Sequence, residues 1–154
     1  MINKVTSLYL DTSIFGGYYD ETFMQETRLL FEKIKAGKYN VFISGTVMEE
    51  LEKAPKNVKN LLKNMEFQLI EVTQECRNLA DEYLKEKVVG KTSKDDCIHI
   101  ATATINNIDY LISWNFKHIV NVERIKGYNS VNTKYGYKQL EIHSPKEMGV
   151  YDDE

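Results

Sequence analysis

The sequence predicts a single α/β domain built on an open, mainly parallel β-sheet, and three observations carry that prediction. Five short β-favouring runs recur at residues 5–10, 39–44, 67–72, 109–113 and 139–143, and each of the first four precedes a segment of helical composition. Helical crossovers between successive strands make those strands parallel and cover the sheet on both faces. The chain has 154 residues, enough for one domain to bury a core without staples. No repeat, low-complexity tract or linker divides it, so residues 1–150 are expected to form one domain. The closing acidic residues 151–154 are expected to be a frayed, solvated end.

Each element has its own justification. The first run, VTSLYL, ends abruptly at Asp11. In ETFMQETRLLFEKIKAG the apolar residues Phe23, Leu30, Phe31 and Ile34 mark one helix face, and Gly37 suits its C-terminal cap. TVMEELEKAPKNVKNLLKNM reads as a helix interrupted near Pro55, because proline lacks a donor and crowds the preceding turn. TQECRNLADEYLKEKVVG and SKDDCIHIATATINN supply two further helices; the second opens at Ser93 with Asp96 three residues on, a capping-box spacing. From Gly127, GYNSVNTKYGYKQLEIHSP carries three tyrosines and two glycines and predicts a turn-rich loop before an edge strand.

Composition excludes several classes. Hydrophobic content of 42% and charged content of 28% are ordinary for a globular chain. No apolar run has membrane-spanning length and the N-terminus lacks a signal pattern, so no membrane role is expected. Cys76 and Cys97 lack CxxC spacing, which argues against a zinc site or disulfide framework and for a reducing cytoplasm. A net charge of −3 provides no global basic field, so any nucleic-acid partner must be met by local patches.

The acidic residues fall at strand ends. Ligands of open α/β sheets bind outside the carboxyl ends of the strands, near the point where strand order reverses. Asp11 ends the first strand, Glu49 and Glu50 follow the second, Asp95 and Asp96 open the helix before the fourth, and Asn115 follows the fourth. Gathering carboxylates at one edge is costly unless cations intervene or protons are taken up. Hard divalent ions such as Mg²⁺ or Mn²⁺ prefer this oxygen set, and such ions activate water and clamp a phosphodiester. Plainer readings stand beside these. Asp11 suits a turn or N-cap, Asp96 a capping box, Glu49 and Glu50 a solvated face, and Asn115 a helix cap. His99 is expected behind the ligands or on the surface. Helical geometry favours Glu50, which flanks the apolar Val47 and Leu51, and turns Glu49 to solvent. It does not separate Asp95 from Asp96.

YLDTSIFGG, ISGTVMEEL, DDCIHIATATINNIDYLISWNFKHI and HSPKEM, in that order across nearly the whole chain, resemble the PIN-domain ribonucleases. Many of these are toxins of type II toxin–antitoxin systems. The resemblance implies a three-layer α/β/α sandwich with strand order 3-2-1-4-5 and endonucleolytic, metal-dependent cleavage of RNA. It implies that Asp11, Glu50 and Asp96 converge on one Mg²⁺ or Mn²⁺, with Thr12, Ser13 and Asp95 in support. It also implies a cognate antitoxin, and a homodimer is common in the family. Relatives often carry an aspartate where this chain has Asn115, whose neutral amide would position water or phosphate.

Lys91, Lys94, Lys117 and His118 lie near the third and fourth motifs and are candidates for RNA contacts. Lys53, Lys56, Lys59 and Lys63 form a helical stripe whose plainer meaning is a solvated face. Tyr18, Tyr19 and Trp114 are candidates for base stacking, with core packing the expected duty of Trp114. Two other functions compete with the nuclease. A catalytically degenerate module that binds RNA or a protein is favoured by Asn115 and the acidic net charge. An aspartyl-phosphate phosphatase needs a second acid two residues after Asp11, where this chain has Ser13.

Overall fold

The computed structural model describes residues 4–148. Among these, five strands form one sheet: β1 (Thr6–Leu10), β2 (Tyr39–Ser44), β3 (Gln68–Ile70), β4 (Tyr110–Ile112) and β5 (Glu141–His143). All neighbouring pairs are parallel, in the order β3-β2-β1-β4-β5. This is the expected order, with the first strand central. Leu8 is in register with Val41 on one side and Tyr110 on the other. Enclosed by neighbours and covered on its faces, β1 has Leu8, Tyr9 and Leu10 fully buried, which accounts for its run of apolar and aromatic residues.

Parallel strands require crossovers. Helices α1 (Thr12–Gly17) and α2 (Met24–Lys35) join β1 to β2. Helices α3 (Gly45–Glu52) and α4 (Lys56–Lys59), with a 3₁₀ turn at Asn60–Asn64, join β2 to β3. Helices α5 (Gln74–Lys85) and α6 (Lys94–Ile105) return the chain from the β3 edge to β4, and α7 (Val122–Lys134) joins β4 to β5. The result is a three-layer α/β/α sandwich. Pro55 sits in the break between α3 and α4, at the N-cap of α4. Gly37 has φ +82°, and the Lys38 N–H donates to the Lys33 carbonyl. A left-handed glycine therefore closes α2.

Two expectations are corrected. The stretch from Gly127 to Lys134 is helix, not loop. Asn121 caps α7 by accepting from the backbone N–H groups of Glu123 and Arg124, and a Cβ on Gly127 would lie 2.7 Å from Val88 Cγ1. Gly127 is thus a packing residue that lets α7 approach Val88, and the glycine at Gly136, φ +83°, is the one that ends the helix. The Ser93 capping box is also absent. The chain enters α6 through a 3₁₀ turn, Lys91–Ser93, so Ser93 is buried off the extended cap geometry and makes no side-chain cap bond. The acidic residues 151–154 and the last two residues of the expected domain lie outside the described residues. Among those described, no helix is long and apolar enough to cross a membrane, and both cysteines are free and buried.

Candidate active site

The chain leaves β1 towards β2 and leaves β4 towards β5, so the crevice between the carboxyl ends of β1 and β4 is the switch point of the sheet. Asp11 stands in it, its N–H donating to the Ile112 carbonyl at 3.3 Å. It holds the N-cap position of α1 yet makes no side-chain cap bond. Its carboxylate instead accepts from Ser13 Oγ at 2.6 Å and Ser113 Oγ at 2.5 Å. Those serines are tied down in turn: Ser13 Oγ accepts from the Trp114 N–H and Ser113 Oγ from the Asn115 N–H, each at 2.9 Å. Two hydroxyls thus stitch the end of β1 to the end of β4 through one aspartate.

Helix α3 supplies Glu50. Ser44, the last residue of β2, caps α3 by accepting from the Val47 N–H at 3.3 Å. Val47 and Leu51 are buried, Glu49 is exposed, and Glu50 is half-buried. Glu50 Oε1 accepts from Thr12 Oγ1 at 2.6 Å and lies 3.0 Å from His99 Nε2. Helix α6 supplies Asp96, half-buried beside the exposed Asp95, and from the far side of the sheet edge the Asn115 amide donates to Asp96 Oδ1 at 3.3 Å. The Asn115 oxygen is committed elsewhere, accepting from the His118 N–H at 2.9 Å. Asn115 therefore caps the turn after β4 with its oxygen and meets Asp96 with its nitrogen, whereas an oxygen facing the site was expected.

The electrostatics follow from burial. Asp11 is pushed above the ordinary aspartate range by burial and by the Asp96 charge, against the opposing pull of His99 and the two serine hydroxyls. Asp96 is also pushed up by burial, with Glu50 and Asp95 adding to the rise and His99 and His118 opposing it. Glu50 is opposite in sign. Burial would raise it, but the hydrogen bonds from His99 and Thr12 and the His99 charge hold it below the usual glutamate value. His99 is held above the usual imidazole value: burial opposes this, but Glu50, Asp11 and Asp96 together prevail.

A buried and a half-buried carboxylate, Asp11 and Asp96, that both resist ionisation are the donor chemistry a hard divalent cation relieves. Asp11 and Asp96 fit such an ion by type. Among the described residues, no three His, Cys, Asp or Glu side chains are grouped so as to hold a metal ion. Glu50 Oε1 is instead turned onto Thr12 and His99.

The other expected residues divide by position. Lys91, Lys94 and Lys117 are exposed near Asp96 and Asn115 in the chain. Lys59 pairs with Glu52 across 2.9 Å on the α3–α4 face. Trp114 is buried, stacked on Phe23 at 4.2 Å and donating through Nε1 to Thr27 Oγ1, so it packs the core. Arg28 sits over the rings of Tyr18 and Tyr19. Tyr18 lines a groove with Gly37, Tyr39, Asn40, Phe67 and Gln68, at the amino ends of β2 and β3 and so away from Asp11. Sequence reasoning missed Ser113 and the burial of His99, which is 3% exposed. Their partners lie 102 and 49 residues away, beyond any local periodicity. The one available signal was the alternation of hydroxyls with Asp11 and Asn115 at the two strand ends.

A parallel sheet with a buried aspartate and half-buried acids at its switch point defines an acid-lined α/β/α domain. The family model described as PIN domain matches residues 8–118, a span that includes Asp11, Glu50, Asp96 and Asn115. The chain belongs to the PIN domain family. Among solved structures it is similar to FitAcB from Neisseria gonorrhoeae, at 12% identity and TM-score 0.57, over 92% of this chain and 99% of that one. It is similar to VapC20 of Mycobacterium tuberculosis, a sarcin-ricin loop cleaving toxin, at 14% identity and TM-score 0.56, over 87% and 98% of the two chains. A toxin–antitoxin complex from Klebsiella pneumoniae matches at 21% identity and TM-score 0.51, over 71% and 88%. At these identities the likeness is one of fold. No match was found among curated proteins.

Proposed function

We propose that the chain is a metal-dependent endoribonuclease, the toxin of a toxin–antitoxin pair. The observation that carries this reading is Asp11, buried at the switch point, locked by two serines and sharing its charge problem with Asp96. Asp11 and Asp96 are the carboxylates that would hold Mg²⁺ or Mn²⁺. A bound divalent ion supplies charge neutralisation at a phosphodiester and an acidified water. Ser13 and Ser113 fix the Asp11 carboxylate, Thr12 and His99 fix Glu50, and the Asn115 amide restrains Asp96. Lys91, Lys94 and Lys117 are the cations for phosphate contacts, and exposed Asp95 supports the local field. RNA as substrate is supported by the likeness to VapC20, a sarcin-ricin loop cleaving toxin, and a proteic antitoxin by the likeness to the toxin–antitoxin complex. A homodimer and a cytoplasmic location complete the proposal.

A second reading, a PIN module that binds RNA or protein without cutting, is favoured by one observation: the Asn115 nitrogen, not a fourth carboxylate, meets Asp96. The experiment that separates them is incubation of single-stranded and structured RNAs with the protein and Mg²⁺ or Mn²⁺, beside Asp11→Asn. The nuclease reading expects cleavage that needs the ion and vanishes in the variant. Cleavage surviving Asp11→Asn, or none by the wild type on any RNA, removes it.

A further inference from the structure

Three polar side chains from three different elements meet in the core. Tyr9 of β1 and Ser44 of β2 are fully buried, and His99 of α6 is nearly so. Tyr9 Oη lies 2.7 Å from Ser44 Oγ and 2.7 Å from His99 Nδ1, while His99 Nε2 lies 3.0 Å from Glu50 Oε1. Buried polar groups cost stability unless bonded, and an apolar trio of the same shape would hold this core at least as well. Each of these groups is bonded, and the chain of bonds ends at a site carboxylate.

With the imidazole neutral, the direction of the chain is fixed from its two ends. The Glu50 carboxylate only accepts, so Nε2 carries a proton and donates to it. In the neutral ring Nδ1 then accepts, which makes Tyr9 the donor to His99 and leaves the Tyr9 oxygen to accept from the Ser44 hydroxyl. Ser44 Oγ in turn accepts from the Val47 N–H. Every donor from α3 through β2, β1 and α6 points the same way and returns to α3 at Glu50. In the imidazolium the Nε2–H still donates to Glu50.

We propose that His99 is a positioning residue for Glu50: the buried Ser44–Tyr9–His99 relay aims the imidazole Nε2–H at Oε1. Together with Thr12 on the same oxygen, it fixes the carboxylate's orientation and leaves Oε2 with neither bond. Its consequence for cleavage rests on the nuclease reading above.

The test uses two substitutions that dissect the imidazole. In His99→Gln the amide nitrogen replaces Nε2, keeping the donor to Glu50 and losing the contact with Tyr9. In His99→Asn the amide replaces Nδ1, keeping the Tyr9 contact and losing Glu50. Positioning predicts that kcat for Mn²⁺-dependent RNA cleavage falls on the order of 100-fold in His99→Asn, with KM unchanged, and stays within about 10-fold in His99→Gln. A merely structural histidine predicts losses that track Tm in both, and equal losses, or Asn outperforming Gln, overturn the proposal. A second readout needs neither activity nor a stable variant at position 99. In ¹⁵N-labelled wild type the His99 Nε2–H should give a resolved, slowly exchanging proton that is lost in Glu50→Ala. No such proton in the wild type, or its persistence unshifted in Glu50→Ala, overturns the proposal even if no RNA is ever cleaved; its presence sustains the relay while the nuclease reading fails alone.

Discussion

At the scale of single residues, the site is governed by where protons sit. Asp11, Asp96 and His99 are all shifted upward, so the native state holds these protons more tightly than the unfolded chain does. The stability they contribute is full below their ordinary values, about 4 for aspartate and about 6.5 for histidine, and is lost as pH rises through the raised ones. Glu50 is shifted downward, but its window lies below the ordinary glutamate value and does not oppose this at neutral pH. Metal-free protein in a chelator should therefore lose Tm as pH rises above the ordinary aspartate value and on past the ordinary histidine value, by thermal melts, and Mn²⁺ should flatten the slope. A Tm that rises over that range would contradict the assigned burial of Asp11 and Asp96. Asn115→Asp removes the amide donor from Asp96 and sets a like charge against it. The variant should be less stable than wild type in chelator and bind Mn²⁺ more tightly by titration, since an anionic oxygen attracts the ion more than a neutral one. Weaker Mn²⁺ binding would place the substituted carboxylate away from the ion.

At the scale of elements, what the sequence made legible was whatever is written locally. All five strand-like runs contain strands, the second in full and the other four trimmed at their ends, because buried parallel strands need continuous apolar runs. The break at Pro55 and the left-handed close at Gly37 follow from backbone chemistry alone. Glu50 was separable from Glu49 because helical spacing is local too. Helix α7 was not legible: Gly127 reads as a turn signal, and its use for close approach depends on Val88, 39 positions earlier in the chain. That reading makes a prediction. Gly127→Ala should destabilise the domain by about 1–3 kcal/mol through overpacking, offset by up to about 1 kcal/mol of helix preference. Val88→Ala in the same background should recover part of the loss in denaturant melts. A Gly127→Ala protein as stable as wild type would mean that Val88 yields freely.

At the scale of the whole molecule, strand order came from the family resemblance, and the position of the site follows from it: only with β1 and β4 adjacent do residues 11 and 113 touch. Nothing local to Asp96 reveals that His99, three residues on, reaches Glu50 across the core. The Ser13–Asp11–Ser113 stitch carries a further consequence, for dynamics. Its bonds run between the two central strands, so the crevice has no hinge of its own and opens only when β1 parts from β4. Amide protons of Asp11, Trp114 and Asn115 should thus exchange with deuterium only through global opening, with protection near that of the β1 core, unlike lids that breathe independently. Fast exchange at these amides would reveal a separately unfolding edge. If protection is global, occupancy of the crevice and integrity of the fold become one equilibrium, and whatever binds there is read out by the melting of the entire chain.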